Sequence, residues 1–183
     1  MGATTTTGAG ISSVRTLKPS LINGVVESSN IAPNAVQAKH IDRKPVNATA
    51  ATLTVTEANH ANKIIVLDRA AGITATLPAA NGTGNKYTFF IKTTVTSNTT
   101  VIKVANATDT MAGNAIACAD GGASVNGWEC AGTSDTITFD GTTTGGIKGD
   151  TVELTDIAAG IFAVNAFLSQ TGTEATPFSA TVS

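Results

Sequence analysis

Short runs of β-branched and aromatic residues, separated by glycine-rich turns, recur along the chain from residue 52 onward. Residues 52–56 alternate between threonine and apolar side chains, and residues 63–67 and 86–91 are compact apolar runs. β-branched side chains suit a pleated sheet better than a helix, and the chain holds 32 threonines beside its valines and isoleucines. Such runs at intervals of roughly 8 to 15 residues, divided by Asn-Gly, Asp-Gly and Gly-Gly, are typical of sandwiches, jelly rolls and barrels.

The pattern predicts ten strands and one helical turn. The predicted strands cover residues 52–56, 63–67, 74–77, 86–91, 99–105, 115–119, 136–139, 151–154, 161–168 and 178–182. Residues 57–62 have the composition of a single helical turn. We therefore expect an all-β fold with a β-sandwich or jelly-roll-like domain over residues 51–183.

The first 50 residues have a different pattern and are predicted to form an extended N-terminal arm. Residues 1–10 are a Thr/Gly/Ala tract with little to bury. Single apolar residues then follow at intervals that match neither a helix nor a strand, namely Val14, Leu17, Ile22, Val25, Ile31, Val36 and Ile41. Two interpretations stay open: an arm that lies on its own domain, or one that trimerises or docks on a partner. Pro33 and Pro45 favour an extended segment.

The charge content is low and excludes several partners. Charged residues make up 13% of the chain and its net charge is −2, with no basic cluster that could neutralise a phosphate backbone. No run of about 18 apolar residues predicts a membrane span, and the N-terminus lacks the pattern of a secretory signal. We expect neither nucleic acid nor a membrane as a partner. A surface this poor in charge is either hydrated by threonine, asparagine and serine side chains or buried against neighbouring copies, and the second possibility indicates an oligomer.

No motif predicts an enzyme, a metal site or a cofactor. His40 and His60 have no metal ligand at suitable spacing, and residues 141–148 depart from a phosphate-binding loop because Ile147 stands where its lysine belongs. A group of acids lacks calcium-loop spacing and is interpreted as solvated turn residues: Asp135, Asp140, Asp150, Glu153 and Asp156. The expected catalytic, cofactor and metal residues are therefore none.

Cys118 and Cys130 are the two cysteines of the chain. Their spacing of twelve, across a segment rich in glycine, suits facing strands of a hairpin. A disulfide would fit an extracellular particle, whereas a chain that folds in the cytosol usually keeps such thiols reduced and packed. Both alternatives stay open from the sequence.

Five blocks of the sequence, in their order, resemble small capsid decoration proteins (cement or head-fibre proteins) of tailed bacteriophages. They are residues 63–72, 76–87, 101–106, 141–150 and 172–179, and the arm over residues 23–41 looks like repeats that thread through trimeric phage fibres. The resemblance implies a homotrimer on the outer surface of the virion, bound to the major capsid protein and made in the host cytoplasm. It implies no active site and no cofactor.

One alternative function is a receptor-binding or glycan-binding module of a phage tail fibre. Such a module would take a host-surface glycan as its partner. The scarcity of aromatic residues, 4% of the chain, counts against it, because Tyr87 and Trp128 are its only large amphipathic rings.

Overall fold

The computed structural model describes residues 42–182, nearly half of which lie in β-strands. The first elements are β1 (Val46–Ala48), β2 (Thr52–Thr54), α1 (Glu57–His60), β3 (Lys63–Leu67), β4 (Thr74–Thr76), β5 (Lys86–Ile91) and β6 (Thr100–Lys103). The others are β7 (Thr110–Ala119), β8 (Ser124–Glu129), β9 (Thr136–Phe139), β10 (Thr151–Ala158), β11 (Ile161–Gln170) and β12 (Phe178–Ser179). The predicted all-β class is confirmed. The arm positions from Val14 to Ile41 lie outside the described residues.

Within residues 42–182 the strands form two sheets. The order is β1-β3-β5-β10-β11-β7-β8 in the seven-stranded sheet and β12-β9-β6-β4-β2 in the five-stranded sheet. Strands β1 to β6 alternate between the sheets, so each returns beside the strand two before it and pairs with it in parallel. The hairpins β7–β8 and β10–β11 are antiparallel and complete the wider sheet.

Both sheets contribute to one cluster of buried apolar side chains. Ile65, Phe89 and Leu154 come from the seven-stranded sheet, and Ile102 and Phe139 come from the five-stranded sheet. Alternate residues of each strand point into this cluster, as the period of two in a strand requires. Full burial of each large side chain stabilises the fold by about 1.5–3 kcal/mol. The strands thus have one face in the core and one face outside, and the outer faces remain available for contacts.

Candidate functional site

Four aspartates with buried carboxylates attach loops to the sheets. Asp109, Asp135, Asp150 and Asp156 are only 2–5% exposed. Each accepts hydrogen bonds from backbone N–H groups, and within residues 42–182 no buried side-chain nitrogen or oxygen lacks a partner. The interpretation of Asp135, Asp150 and Asp156 as solvated turn residues was therefore wrong, because these acids replace water with the chain's own donors. They stabilise loops and leave no open carboxylate pair.

Asp156, on β10, makes the densest of these contacts. Its carboxylate accepts from the backbone N–H groups of Asn81 (3.0 Å), Gly82 (2.7 Å) and Thr83 (3.0 Å), and from the Thr83 hydroxyl (2.7 Å). Burial raises the pKa of Asp156, but these hydrogen bonds outweigh burial and hold the pKa below its usual value. Asp156 is therefore an ionised anchor for the loop that follows β4.

The glycine-rich loop after β9 is organised by the carboxylate of Asp140. Asp140 accepts from the N–H groups of Thr142 (2.7 Å) and Thr144 (3.1 Å) and from the Thr143 hydroxyl (2.6 Å). The loop's N–H groups therefore point at a carboxylate of the same chain. Burial raises the pKa of Asp140, but the bonds from these threonines outweigh burial and lower the pKa to about 2.

We expect Asp140 to make the protein sensitive to acid. Its folded pKa of about 2 lies below the ordinary value of 3.8, so its contribution to stability is present above the ordinary value and is lost as pH falls through the folded one. Asp140→Asn should lower the free energy of unfolding at about pH 6, and the difference from wild type should shrink toward about pH 2. Urea unfolding at several pH values measures this. Glu129→Gln, at an exposed acid of β8, is the matched control, and an Asp140→Asn difference that does not change with pH would contradict the role.

His60 and His40 do not form a site within the described residues. The buried imidazole of His60 lies at the end of α1, where its Nδ1 accepts from the Thr56 backbone N–H at 2.9 Å. His40 is outside the described residues. Among residues 42–182 no group of three histidine, cysteine or acidic side chains is arranged to hold a metal ion. His60 has a structural contact at the start of its own helical turn.

The structure leaves the thiols of Cys118 and Cys130 free. Cys118 pairs with Val125 across the β7–β8 hairpin, while the Cys130 N–H donates to the Gly113 carbonyl at 2.9 Å. Gly113 and Cys118 are five residues apart on β7, about 17 Å along a strand, whereas a disulfide needs Cα atoms about 4.4–6.8 Å apart. Cys118 is exposed on the outer side of the wider sheet. Cys130 is half-buried, and burial raises the pKa of its thiol to about 11.

The outer face of the seven-stranded sheet, meaning the side turned away from the core cluster, carries an apolar row across the strands. Strand register aligns its six members, which are Val66, Phe90, Thr151, Phe167, Ile116 and Gly127. Phe167 is 66% exposed. This face holds five of the six exposed large apolar side chains among residues 42–182, namely Ile64, Ile116, Val125, Ile161 and Phe167. Apolar side chains grouped on one face in this way make it the candidate binding surface of the described residues.

Two shallow grooves lie on either side of Phe167. One has a volume of about 350 Å³ and is lined by Ile116, Gly127, Asn114 and Asn165, among others. The second, of about 400 Å³, lies toward β5 and is lined by Thr88, Thr151, Glu153 and Asn165. The exposed ring can insert into a groove of a partner, and the grooves beside it can accept a side chain of a partner.

The outer face carries few charges. Lys86 and Glu153 form an ion pair at 2.9 Å, so they largely neutralise each other within the face. The neighbours of Glu153 in the same row are Thr88, Asn165 and Asn114, and the row ends at the exposed carboxylate of Glu129 on β8. The face can therefore contact apolar surfaces and hydrogen-bonding groups without recognising a strongly charged partner.

Sequence reasoning missed this face, although one signal in the sequence pointed to it. Residues 86–91 and 161–168 were predicted as strands, and both carry large apolar side chains at odd and at even positions. A strand buried on one side only should alternate with polar residues. Phe90 and Phe167 break that alternation, and both lie on the outer face.

The chain matches no family model, no curated protein and no solved structure. In the part of the chain from residue 42 to residue 182, no helix has the length and apolar content to cross a membrane. The functional conclusion therefore depends on the geometry of the chain itself.

Proposed function

We propose that this chain is a structural virion protein that decorates and stabilises the outer surface of a phage capsid as a homotrimer. Its two sheets form a β-sandwich with a jelly-roll-like outline, preceded by an extended arm. Its partner is the major capsid protein. The chain is made in the host cytoplasm and lies on the outer surface of the capsid in the virion.

One observation carries the proposal: the widest sheet exposes an apolar outer face with few charges, while the buried aspartates are occupied by the chain's own donors. Such a surface suits assembly better than chemistry. A trimer that binds a shell at several points gains avidity even where each contact is weak, because the second and third contacts form within one complex.

The direct test is the native mass of the purified full chain, followed by cosedimentation with shells that lack it. We expect three times the mass of one chain and saturable binding to the shells. A protein that stays monomeric at high concentration and does not sediment with shells would overturn the proposal. Cosedimentation of an unrelated globular protein of similar size controls for trapping.

The arm supplies a second, separable prediction. A charge at Val25, Ile31 or Val36 should abolish occupancy of the particle and leave the β-domain folded. Burying an unpaired carboxylate costs several kcal/mol, on the order of the binding free energy of one weak attachment of the arm. Val25→Asp is the test variant, and Thr5→Asp, in the polar tract, is its matched control. Occupancy is measured by gel densitometry of purified particles and folding by circular dichroism. Normal occupancy of Val25→Asp would remove the arm from attachment.

A glycan-binding module of a tail fibre is the alternative function, and one feature favours it. The grooves beside Phe167 present the amides of Asn114 and Asn165 and the carboxylate of Glu153, groups that can bond to sugar hydroxyls. Immuno-electron microscopy separates the two functions, because labelling at the tail supports the alternative and labelling over the head supports decoration. Binding of the purified chain to host cells would also support the alternative.

A further inference from the structure

We propose that copies of this chain pack against one another through the outer face of the seven-stranded sheet, with Phe167 of each copy entering the Gly127 groove of the next. The Gly127 groove is the one lined by Ile116, Gly127, Asn114 and Asn165. This inference rests on the proposed homotrimer and names the surface that forms it.

The first support is the position of the ring beside the groove. Phe167 projects from β11, and strand register places Ile116 of β7 and then Gly127 of β8 next to it in the same row. Gly127 has no side chain, so the floor of the groove is open. Because each copy offers both a projecting ring and a groove, a rotation about one axis can satisfy every copy with the same contact.

The second support is the size of the face. Seven strands at about 4.8 Å spacing place the outer strands about 29 Å apart, and six residues along a strand span about 20 Å. The flat area is on the order of 600 Å² before side-chain relief is added. A standard interface buries about 800 Å² on each partner. The flat area alone is below that value but reaches the lower end of the standard range, about 600 Å² on each partner, and side-chain relief adds to it.

The third support is the charge balance. The pair Lys86–Glu153 leaves little net field over the middle of the face, and a copy of the same face is an equally neutral partner. Apolar rings at the centre with amides and hydroxyls around them match the composition of protein interfaces. A like surface thus satisfies the middle of this face, and the exposed Glu129 beside the groove adds one carboxylate per copy at its β8 edge.

Cys118 reports directly on whether the face is covered. It lies on β7, on the same side as Ile116 and next to Val125, and it is exposed in the single chain. Cys130 is half-buried and its pKa is raised to about 11, so its thiol reacts slowly at neutral pH. The rate of alkylation by a maleimide therefore measures access to the outer face, and Cys118→Ser identifies its contribution.

The experiment compares the full chain with three variants. Phe167→Asp places a charge on the projecting ring position, and Gly127→Gln fills the groove. A side chain at Gly127 meets only the Ile116 side-chain end, at 3.9 Å, so this variant should fold. Thr54→Asp adds the same carboxylate on the outer face of the five-stranded sheet and is the matched control. Urea unfolding and circular dichroism confirm folding of each.

We expect Cys118 to react about tenfold more slowly in the wild type and in Thr54→Asp than in Phe167→Asp and Gly127→Gln. Dilution of the wild type until native mass falls to one chain should restore the fast rate. Equal rates in the wild type and the two face variants would overturn the inference. Protection of Cys118 in a species of single-chain mass would also overturn it, because the chain's own arm would then cover the face.

The shell assay separates failure of this inference from failure of the proposed function. Protection of Cys118 in a trimer that does not bind shells retains the interface and overturns decoration. Binding to shells with Cys118 freely reactive retains decoration and overturns this interface.

Discussion

Gly141→Ala should destabilise the protein by roughly 2–5 kcal/mol, a large part of the stability of many domains of this size. Gly141 has φ +86°, and a Cβ there would lie 1.8 Å from the Val95 carbonyl oxygen. The left-handed backbone costs an alanine about 1–2 kcal/mol, and overpacking adds about 1–3 kcal/mol. Because the clash is with backbone, no side-chain rotation relieves it. The measurement is urea unfolding of the purified variant.

Gly172→Ala is the matched control for that substitution. Gly172 has a similar φ of +80°, but no atom lies within 4 Å of its added Cβ. Its free energy of unfolding should therefore fall only by the cost of the left-handed backbone, about 1–2 kcal/mol. Equal stability of the two variants would contradict the close packing of residues 141–146 against Val95. An unfolded Gly141→Ala beside a folded Gly172→Ala would support it.

Asp156→Ala should destabilise the protein by about 3–5 kcal/mol. The substitution leaves the N–H groups of Asn81, Gly82 and Thr83 without their acceptor, in addition to the Thr83 hydroxyl. A buried donor without a partner costs about 1–3 kcal/mol, and these donors belong to exposed residues, so water offsets part of the sum. Urea unfolding measures the loss, and hydrogen exchange at residues 81–83 should quicken.

Glu153→Ala on the same strand is the matched control for Asp156→Ala. The Glu153→Ala substitution removes only an exposed ion pair with Lys86, whose Nζ–Oε1 distance is 2.9 Å. Such a pair stabilises a protein by about 0–1 kcal/mol. Thr83→Ala should be intermediate, because it removes a single hydroxyl bond to Asp156. Asp156→Ala as stable as Glu153→Ala would show that the loop is held by other contacts.

The strands that the sequence predicted best are those with dense apolar runs. β3, β5 and β9 have the predicted bounds, and β4, β6, β10 and β11 overlap the predicted runs closely. β1 and β8 were missed. β1 is only three residues long beside Pro45, and β8 (Ser124–Glu129) contains Asn and Gly, which have low strand propensity. Both strands are stabilised by the strands they pair with, β3 and β7. The pattern of a single sequence does not show which strands pair.

The parallel pairing of β1 to β6 could not be predicted from the pattern. Alternation tells which side of a strand is buried, but it does not tell which strand lies next to it. The candidate face was hidden for the same reason. Phe167, Ile116 and Gly127 lie far apart in the sequence, and only the register of β11, β7 and β8 aligns them in one row.

The buried aspartates show a different limit. Asp156 and Asn81 are 75 residues apart, and their contact depends on the packing of β10 beside the loop after β4. Acids are mostly exposed in proteins, so the sequence alone favours solvent for them. A turn-rich sequence with many N–H groups to satisfy is the one signal that could have suggested buried acceptors.

The alternation of β1 to β6 between the two sheets has a consequence for the speed of folding. Residues paired in parallel within β1–β3, β3–β5, β2–β4 and β4–β6 are 19 to 27 positions apart, and each intervening stretch includes a strand of the opposite sheet. Neither layer can therefore be completed before the other, and each closing step costs loop entropy before its contacts form. We expect slow, all-or-none refolding, in which the β10–β11 hairpin forms first and strands β1 to β6 then assemble on it.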